Sequence, residues 1–172
     1  MIKDVLIHTC CADCFLNSVD YLKEENIVNN STNVLSYFSN PNIHPRSEYV
    51  ERLNAVKKVL PNDVQLIIPD YRPHEYFESI KGKKKRCFGC WEVRLKSLFQ
   101  YAKENNFNNI TSTLLVSQYQ NREEIFKVAQ ELNKAYSLNF INIDARHNSR
   151  RVGFYKQNYC GCCFSLVEKM SS

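Results

Sequence analysis

The chain has little of what flexible linkers or membrane segments require. Its 172 residues include only four glycines and five prolines, which argues against long disordered linkers. No apolar run approaches the roughly 20 residues of a membrane-spanning helix. The amino terminus, residues 1–7, becomes polar too early for a signal peptide. These absences predict a single domain over residues 1–172 that is located in the cytoplasm and has no membrane partner.

Cysteine, by contrast, is abundant and unevenly placed. The eight cysteines fall into three groups, at residues 10–14, 87–90 and 160–163. Disulfide scaffolds spread their cysteines through short secreted chains, whereas clustered cysteines in a reducing compartment indicate metal or catalytic sites. Dense thiolates select zinc, copper(I) or iron–sulfur clusters. We therefore expect folding to assemble one thiolate-rich site with enough ligands for two metal centres.

Positive charge is concentrated beside two of the cysteine groups, and the net charge is +5. Four consecutive cations come directly before the second group: Lys83, Lys84, Lys85 and Arg86. Arg150 and Arg151 come before the third group. A lysine run is often only a solvated loop, but basic patches beside a site bind phosphates. This placement therefore favours a polyanionic substrate.

Short apolar runs alternate with amphipathic stretches along the chain. The runs predict strands near residues 5–7, 34–38, 65–68, 109–113 and 140–143. Helices are expected near residues 14–25, 47–60, 75–80, 87–104 and 123–135, with a short one at the end. This alternation predicts an α/β fold, a Rossmann-like parallel sheet with helices on both faces. Such sheets bind ligands beyond the carboxyl ends of their strands, where the first cysteine group follows the first strand.

Cysteine spacing alone leaves three chemistries open. Cys11 with Cys14 and Cys87 with Cys90 form two Cys-x-x-Cys pairs that could hold a structural zinc. The Cys11–Cys14 pair also follows a strand and opens a helix, as a redox-active pair does. An iron–sulfur cluster can take ligands from unrelated segments. The zinc and redox readings leave Cys10 and the third cysteine group without a role.

Three polar residues near these groups have two readings each. Asp13, beside Cys14, fits either a mixed oxygen–sulfur metal site or the cap of the following helix. His8 is either a buried strand-end histidine or part of the site. His44 stands before Pro45 and fits turn chemistry better than metal ligation.

Three segments resemble the epoxyqueuosine reductases of the QueH type, an iron–sulfur family. They are residues 8–14 (HTCCADC), 86–95 (RCFGCWEVRL) and 159–165 (YCGCCFS), with further similarity in residues 40–49 and 113–120. The similarity runs in order through nearly the whole chain, so it is far more specific than one Cys-x-x-Cys. Asp13 and Gln118 stand where many relatives have proline, Cys163 is an extra thiol, and the stretch over residues 144–155 is shorter.

The resemblance implies a fold of the nucleotide α-hydrolase (HUP-like) group. It also implies the last step of queuosine biosynthesis, the two-electron deoxygenation of epoxyqueuosine to queuosine at the wobble position of a tRNA anticodon. By resemblance, a 4Fe-4S cluster would have the ligands Cys10, Cys11, Cys87 and Cys90. A second, mononuclear metal, expected to be iron, would be bound at the catalytic centre by Cys160, Cys162 and either Asp13 or Cys14.

The expected partners follow from what the sequence offers. It carries no flavin, nicotinamide or cobalamin fingerprint, so we expect an external electron donor such as ferredoxin or flavodoxin. ATP-using members of the fold group carry a Ser-Gly-Gly-x-Asp-Ser loop where residues 8–13 stand here, so no ATP use is expected. Two alternatives stay open: an iron–sulfur tRNA sulfur transferase of the same fold group, which needs ATP, and a zinc-stabilised nucleic-acid-binding module.

Overall fold

The computed structural model describes residues 1–145 and 151–172, which are organised around one five-stranded parallel sheet. Its strands are β1 (Asp4–His8), β2 (Asn33–Tyr37), β3 (Gln65–Ile67), β4 (Asn109–Ser112) and β5 (Asn139–Phe140). Its helices are α1 (Ala12–Glu24), α2 (Arg46–Val59), α3 (Pro73–Ile80), α4 (Arg86–Glu104), α5 (Arg122–Tyr136) and α6 (Cys163–Met170). None of the helices in the described ranges is long and apolar enough to cross a membrane.

The strand order, β3–β2–β1–β4–β5, places a crevice at the middle of the sheet. The chain winds outward from β1 to β3, then returns through α3 and α4 to form β4 on the other side of β1. Right-handed crossovers in the two directions put α1 and α2 on one face of the sheet and α4 and α5 on the other. The prediction of a Rossmann-like α/β sheet is therefore confirmed, and its ligand crevice lies beyond the carboxyl ends of β1 and β4.

The central strand β1 is the most deeply buried element of the sheet. Its residues Val5, Leu6 and Ile7 are all inaccessible to solvent, as expected for a strand covered by helices on both faces. They pack in the same core as Leu95, Leu98 and other residues of α4. The first cysteine group therefore follows a strand that helices cover on both faces.

Two elements differ from the predicted pattern. Helix α2 begins at Arg46, one residue before the predicted start, with Pro45 as its N-cap, and its apolar residue Val50 is exposed. The buried face instead carries Tyr49 and Arg52, because α2 packs against the loop that holds the third cysteine group. Strand β5 is only two residues long, since β4 offers it a partner at Asn109 and Ile110 alone.

Helices α3 and α4 approach each other most closely at Gly89. A Cβ atom placed at Gly89 would lie 2.2 Å from the carbonyl oxygen of Ser79 and 3.1 Å from the Cα of Ile80. These are backbone atoms, which cannot rotate away as a flexible side chain can. Glycine therefore sets the distance between the two helices beside Cys87 and Cys90.

Substituting Gly89→Ala should destabilise the metal-free protein by about 3 kcal/mol or more, because α3 has to move away from α4. Gly82→Ala is the control: its Cβ would meet no atom within 4 Å, although its φ of +68° is unfavourable for alanine. The control should cost only about 1 kcal/mol. Urea unfolding under reducing conditions measures both, and equal losses would contradict the close approach.

Candidate metal centre

Each cysteine group lies at the amino end of a helix. Cys11 is the N-cap of α1, Cys87 lies in the first turn of α4, and Cys162 is the N-cap of α6. Unpaired backbone N–H groups at a helix amino end favour a thiolate over a thiol. Two such bonds are present: the N–H of Cys14 donates to Cys11 Sγ at 3.4 Å, and the N–H of Ser165 donates to Cys162 Sγ at 3.3 Å.

The first group forms a buried trio of thiols directly above β1. The sulfur atoms of Cys10, Cys11 and Cys14 all lie within 4.8 Å of one another. Thr113, which follows β4, accepts a bond from the N–H of Cys10 at 3.0 Å and donates its hydroxyl to Cys10 Sγ at 3.1 Å. The trio therefore spans the crevice between β1 and β4.

These thiols share hydrogen bonds with one another in the metal-free protein. Hydrogen bonds from Cys11, Cys14 and Thr113 hold the pKa of Cys10 well below its usual range, against the effect of burial. The pKa values of Cys11 and Cys14 are raised, chiefly by their hydrogen bonds to neighbouring thiols of the trio and by burial. A cation bound here would remove the need for this sharing and let all three ionise.

The second and third groups meet in a separate buried cluster. Cys90 and Cys162 pack together with Tyr76 of α3, and Cys160 lies against the same cluster. The sulfur atoms of Cys160 and Cys162 are 3.9 Å apart. Cys87, on the first turn of α4, is exposed.

Cys162 is the thiolate of this second cluster. A hydrogen bond from Cys160, supported by Tyr76, by the N–H of Ser165 and by the charge of Arg86, lowers the pKa of Cys162 to about 5 despite its partial burial. The pKa of Cys160 is raised, because it donates to Cys162 and is partly buried. Each cluster thus contains one cysteine whose pKa is lowered, Cys10 in the first and Cys162 in the second.

Arg94 contacts the second cluster through Cys90. Its guanidinium donates from Nη2 to Cys90 Sγ at 3.1 Å and from Nε to the carbonyl oxygen of Cys90 at 3.0 Å. Burial, with a smaller contribution from Arg94, lowers the pKa of His8 to about 4, so the imidazole is neutral. His8 donates from Nε2 to the carbonyl of Ser39 and accepts at Nδ1 from Ser112, both at 2.9 Å, which confirms the buried strand-end reading.

Arg52 holds the loop of the third cysteine group in place. Although only 2% exposed, it donates to the carbonyl oxygens of Cys160 at 3.2 Å and Tyr159 at 3.0 Å. Its charge is balanced by Glu48 at 2.8 Å. Gly161 passes so close to Arg52 that a Cβ there would lie 3.2 Å from the guanidinium.

His44 joins the loop after β2 to the same cysteine group. Its Nδ1 accepts from the N–H of Cys163 at 3.1 Å, and its backbone N–H donates to the carbonyl of Gly161 at 2.7 Å. Its Nε2 donates to the carbonyl of Pro41 at 3.0 Å. Both ring nitrogens are occupied, so His44 fixes the geometry of the loop.

Most of the cations expected to bind phosphate have acidic neighbours. Lys83 pairs with Glu92 at 2.7 Å and Lys85 pairs with Glu124 at 3.2 Å. Arg86 pairs with Glu168, and Arg151 pairs with Asp20. Within residues 1–145 and 151–172, Lys84 has no carboxylate partner, and Arg150 lies outside the described residues.

Asp13 sits on the first turn of α1 among basic side chains. It is 3% exposed, and its carboxylate lies 3.4 Å from Lys156 and 3.8 Å from Arg151. Cys11, not Asp13, caps the helix through its side chain. Asp13 is therefore a buried carboxylate with two basic neighbours, next to the cysteine trio.

Sequence reasoning predicted the cysteine ligands but missed the side chains that organise their surroundings. The missed residues are Arg52, Tyr76, Arg94 and Thr113. The spacing of four residues between Cys90 and Arg94 is the one local signal that could have suggested a contact. The others come from distant segments and follow only from the fold.

The donor set suits a soft metal. Three buried thiols lie in mutual contact, and two further thiols share a second buried cluster with hydrogen-bond donors aimed at sulfur. In the parts of the chain that the structure describes, Cys10, Cys11 and Cys14 are the one group of three possible ligands within 4.8 Å. Thiolates of this kind bind zinc, copper(I) and iron–sulfur clusters.

Thr113→Val removes both bonds between Thr113 and Cys10 and should weaken cobalt(II) binding by the metal-free protein about tenfold. Thr111→Val is the matched control, because that buried threonine bonds only to the carbonyl of Ile141. Titration followed through the sulfur-to-cobalt absorption bands gives both affinities. Equal affinities would mean that Thr113 does not support the ligand.

Comparison with known proteins identifies the family of this chain. Residues 5–168 match the family model described as epoxyqueuosine reductase QueH. An epoxyqueuosine reductase QueH from Dehalococcoides mccartyi is 31% identical, over 98% of this chain and 96% of the relative. Its counterpart from Thermotoga maritima is 30% identical, covering 96% and 91%, and that from Streptococcus pyogenes is 28% identical, covering 94% and 69%. The chain belongs to the epoxyqueuosine reductase QueH family.

Proposed function

We propose that this protein reduces epoxyqueuosine to queuosine in the anticodon of tRNA. The observation that carries the proposal is that three distant cysteine groups each lie at a helix amino end and form two buried clusters, in a chain that belongs to this family. The reaction converts an epoxide, two electrons and two protons into an alkene and water. Because the substrate is a tRNA, we expect the reaction to take place in the cytoplasm, where thiols stay reduced.

The ligands of the cofactors are assigned as the resemblance implies. A 4Fe-4S cluster is bound by Cys10, Cys11, Cys87 and Cys90. A mononuclear iron would be bound by Cys160 and Cys162 together with Asp13 or Cys14. When bound, the cluster supplies single electrons and the iron supplies a Lewis acid.

The positions of the free thiols bear on the choice between Asp13 and Cys14. In the metal-free fold Cys14 lies with Cys10 and Cys11, whereas Asp13 lies beside Lys156 and Arg151. A carboxylate supplies the oxygen ligand that a mixed oxygen–sulfur iron site needs. We propose that the turn contributes Asp13 to the second metal and that Cys14 donates hydrogen bonds to the cluster ligands.

The chain's own residues prepare the site before a substrate arrives. Arg52 and His44 fix the third cysteine loop through its backbone. Backbone N–H groups at the amino ends of α1 and α6 donate to the sulfurs of Cys11 and Cys162. His8 is neutral and bonded at both ring nitrogens, so it does not supply the protons of the reaction.

Two partners complete the proposed reaction. An external one-electron carrier, a reduced ferredoxin or flavodoxin, provides the two electrons in succession. The tRNA anticodon arm binds the basic segment at residues 83–86 and Arg150 and Arg151, with the modified base turned out of the stack toward the metals. On binding, Lys83 and Lys85 exchange their carboxylate partners for phosphates.

The direct test is turnover. Protein reconstituted with iron and sulfide without oxygen is mixed with epoxyqueuosine-containing tRNA and a chemical or protein reductant, and digested nucleosides are analysed by mass spectrometry. Loss of one oxygen atom from the modified base, with no requirement for ATP, is the expected result. A gain of sulfur in an ATP-dependent reaction would instead identify a sulfur transferase, and binding without any chemical change would favour a nucleic-acid-binding module.

Cys160→Ala should abolish turnover yet leave the absorption of the four-iron cluster unchanged, because Cys160 is assigned to the second metal alone. Cys163→Ala is the matched control and should retain both activity and spectrum. Iron analysis should show one iron fewer in the first variant. Loss of the whole cluster in Cys160→Ala would contradict this division of ligands.

Replacing Lys83, Lys84 and Lys85 by alanine should weaken tRNA binding and reduce the salt dependence by about one unit of slope per lost phosphate contact. The control replaces Lys23, Lys57 and Lys58, which are exposed near the carboxyl ends of α1 and α2, at the opposite edge of the sheet. Binding is measured across a range of salt concentrations. An unchanged slope in the first variant would remove this segment from the interface.

A further inference from the structure

Arg94 is an unusual residue for the interior of a protein. It is 1% exposed and is the largest fully buried side chain in the described chain. Arginine is almost never fully buried unless it is paired, because taking a charge out of water is costly. Its burial therefore calls for a compensating negative charge.

No carboxylate provides that charge among residues 1–145 and 151–172. The side chain donates only to the sulfur and the carbonyl oxygen of Cys90, at 3.1 and 3.0 Å. The other buried arginine, Arg52, has Glu48 at 2.8 Å as well as its carbonyl partners. Arg94 thus differs from Arg52 in having sulfur where a carboxylate is expected.

The titratable groups around Arg94 come from two elements. On α4 they are Cys90, which it touches, and Cys87. From β1 the facing group is His8, whose ring nitrogens bond to Ser112 and to the carbonyl of Ser39. Among the described residues neither element offers Arg94 a carboxylate, so the compensating charge has to come from thiolates.

We propose that Arg94 is the buried counter-charge of the four-iron cluster and makes the cluster easier to reduce. This inference rests on the proposed function. A 4Fe-4S core with four thiolate ligands is an anion, and each added electron makes it more negative. A fixed cation and a hydrogen bond to a ligand sulfur both favour the reduced form, since net charge and such bonds set the potential of these clusters.

Arg94 would affect the transfer of electrons from the external carrier to the cluster. The external carrier loses one electron and the cluster gains it, with no proton or bond involved. Arg94 raises the fraction of cluster that a given carrier can reduce. It touches neither the substrate nor the reacting atoms, so Arg94 is a positioning residue whose action passes through Cys90.

The experiment compares Arg94→Met with the reconstituted wild-type protein in a redox titration followed by electron paramagnetic resonance. At a fixed solution potential, the ratio of reduced to oxidised cluster should fall at least tenfold. This corresponds to a midpoint lower by about 59 mV for a one-electron couple. Lys96→Met is the control, because it removes an exposed cation from the same helix and should leave the midpoint unchanged.

Arg94→Lys keeps the charge and loses the planar pair of donors. It should retain the cluster, with a midpoint below that of the wild type. Arg94→Met could be folded, as judged by circular dichroism, and yet take up no cluster. That result would support the need for a buried cation, and Arg94→Lys would then test the role of the charge. A folded Arg94→Lys protein without a cluster would overturn the electrostatic argument.

Different results would contradict the role of Arg94 and the proposed function. Wild-type and Arg94→Met proteins with equal cluster content and equal midpoints would overturn the role of Arg94 and leave the proposed function intact. Wild-type protein that takes up no labile sulfide on reconstitution would overturn the proposed function and this inference with it.

Discussion

Negative charge on buried sulfur is the constraint on which the rest of this structure depends. A thiolate in an apolar interior is unstable unless donors or cations compensate it. Cys10 is stabilised by Thr113 and by neighbouring thiols, and Cys162 by the amino end of α6. Arg94 adds a buried cation beside Cys90. Each compensating group comes from a different element, so the site exists only when the sheet and its helices are assembled.

The doubly wound topology explains why these segments meet. The chain leaves β1 at Cys10 and leaves β4 at Thr113, and both points lie at the carboxyl edge on either side of the switch point. The loop after β2 brings His44 to the third cysteine group, and α2 brings Arg52. Function and fold are therefore coupled through backbone hydrogen bonds, because these two side chains bind the loop through its carbonyl and N–H groups.

Sequence reasoning succeeded where the signal is local. Buried strands such as residues 5–7 and the helix that carries Cys87 and Cys90 follow from apolar periodicity, and the parallel sheet follows from their alternation. It failed where tertiary packing determines which face of a helix is buried or how long a strand is. The face of α2 turned inward is set by Arg52 reaching the third cysteine loop, 107 residues and more along the chain, and β5 is short because β4 pairs with it at only two positions.

Local sequence patterns also did not predict which charged side chains form ion pairs. A run of lysines before Cys87 suggests a strongly basic surface, but Lys83 and Lys85 meet Glu92 and Glu124 from α4 and α5. These pairs reduce the local charge and leave Lys84 as the cation of that run without a carboxylate partner in the described residues. Similarly, the spacing of Cys90 and Arg94 places them on one helix stripe, but only the fold shows that the arginine is buried with sulfur as its partner.

The central claim is that cysteines from three distant segments bind a 4Fe-4S cluster and a second iron. The most direct measurement is the iron, zinc and acid-labile sulfide content of protein purified and reconstituted without oxygen. The account predicts about four sulfides with four to five irons per chain, the number for one four-iron cluster and one further iron. Zinc without sulfide, persisting after attempted reconstitution, would contradict it and identify the cysteines as a structural zinc site.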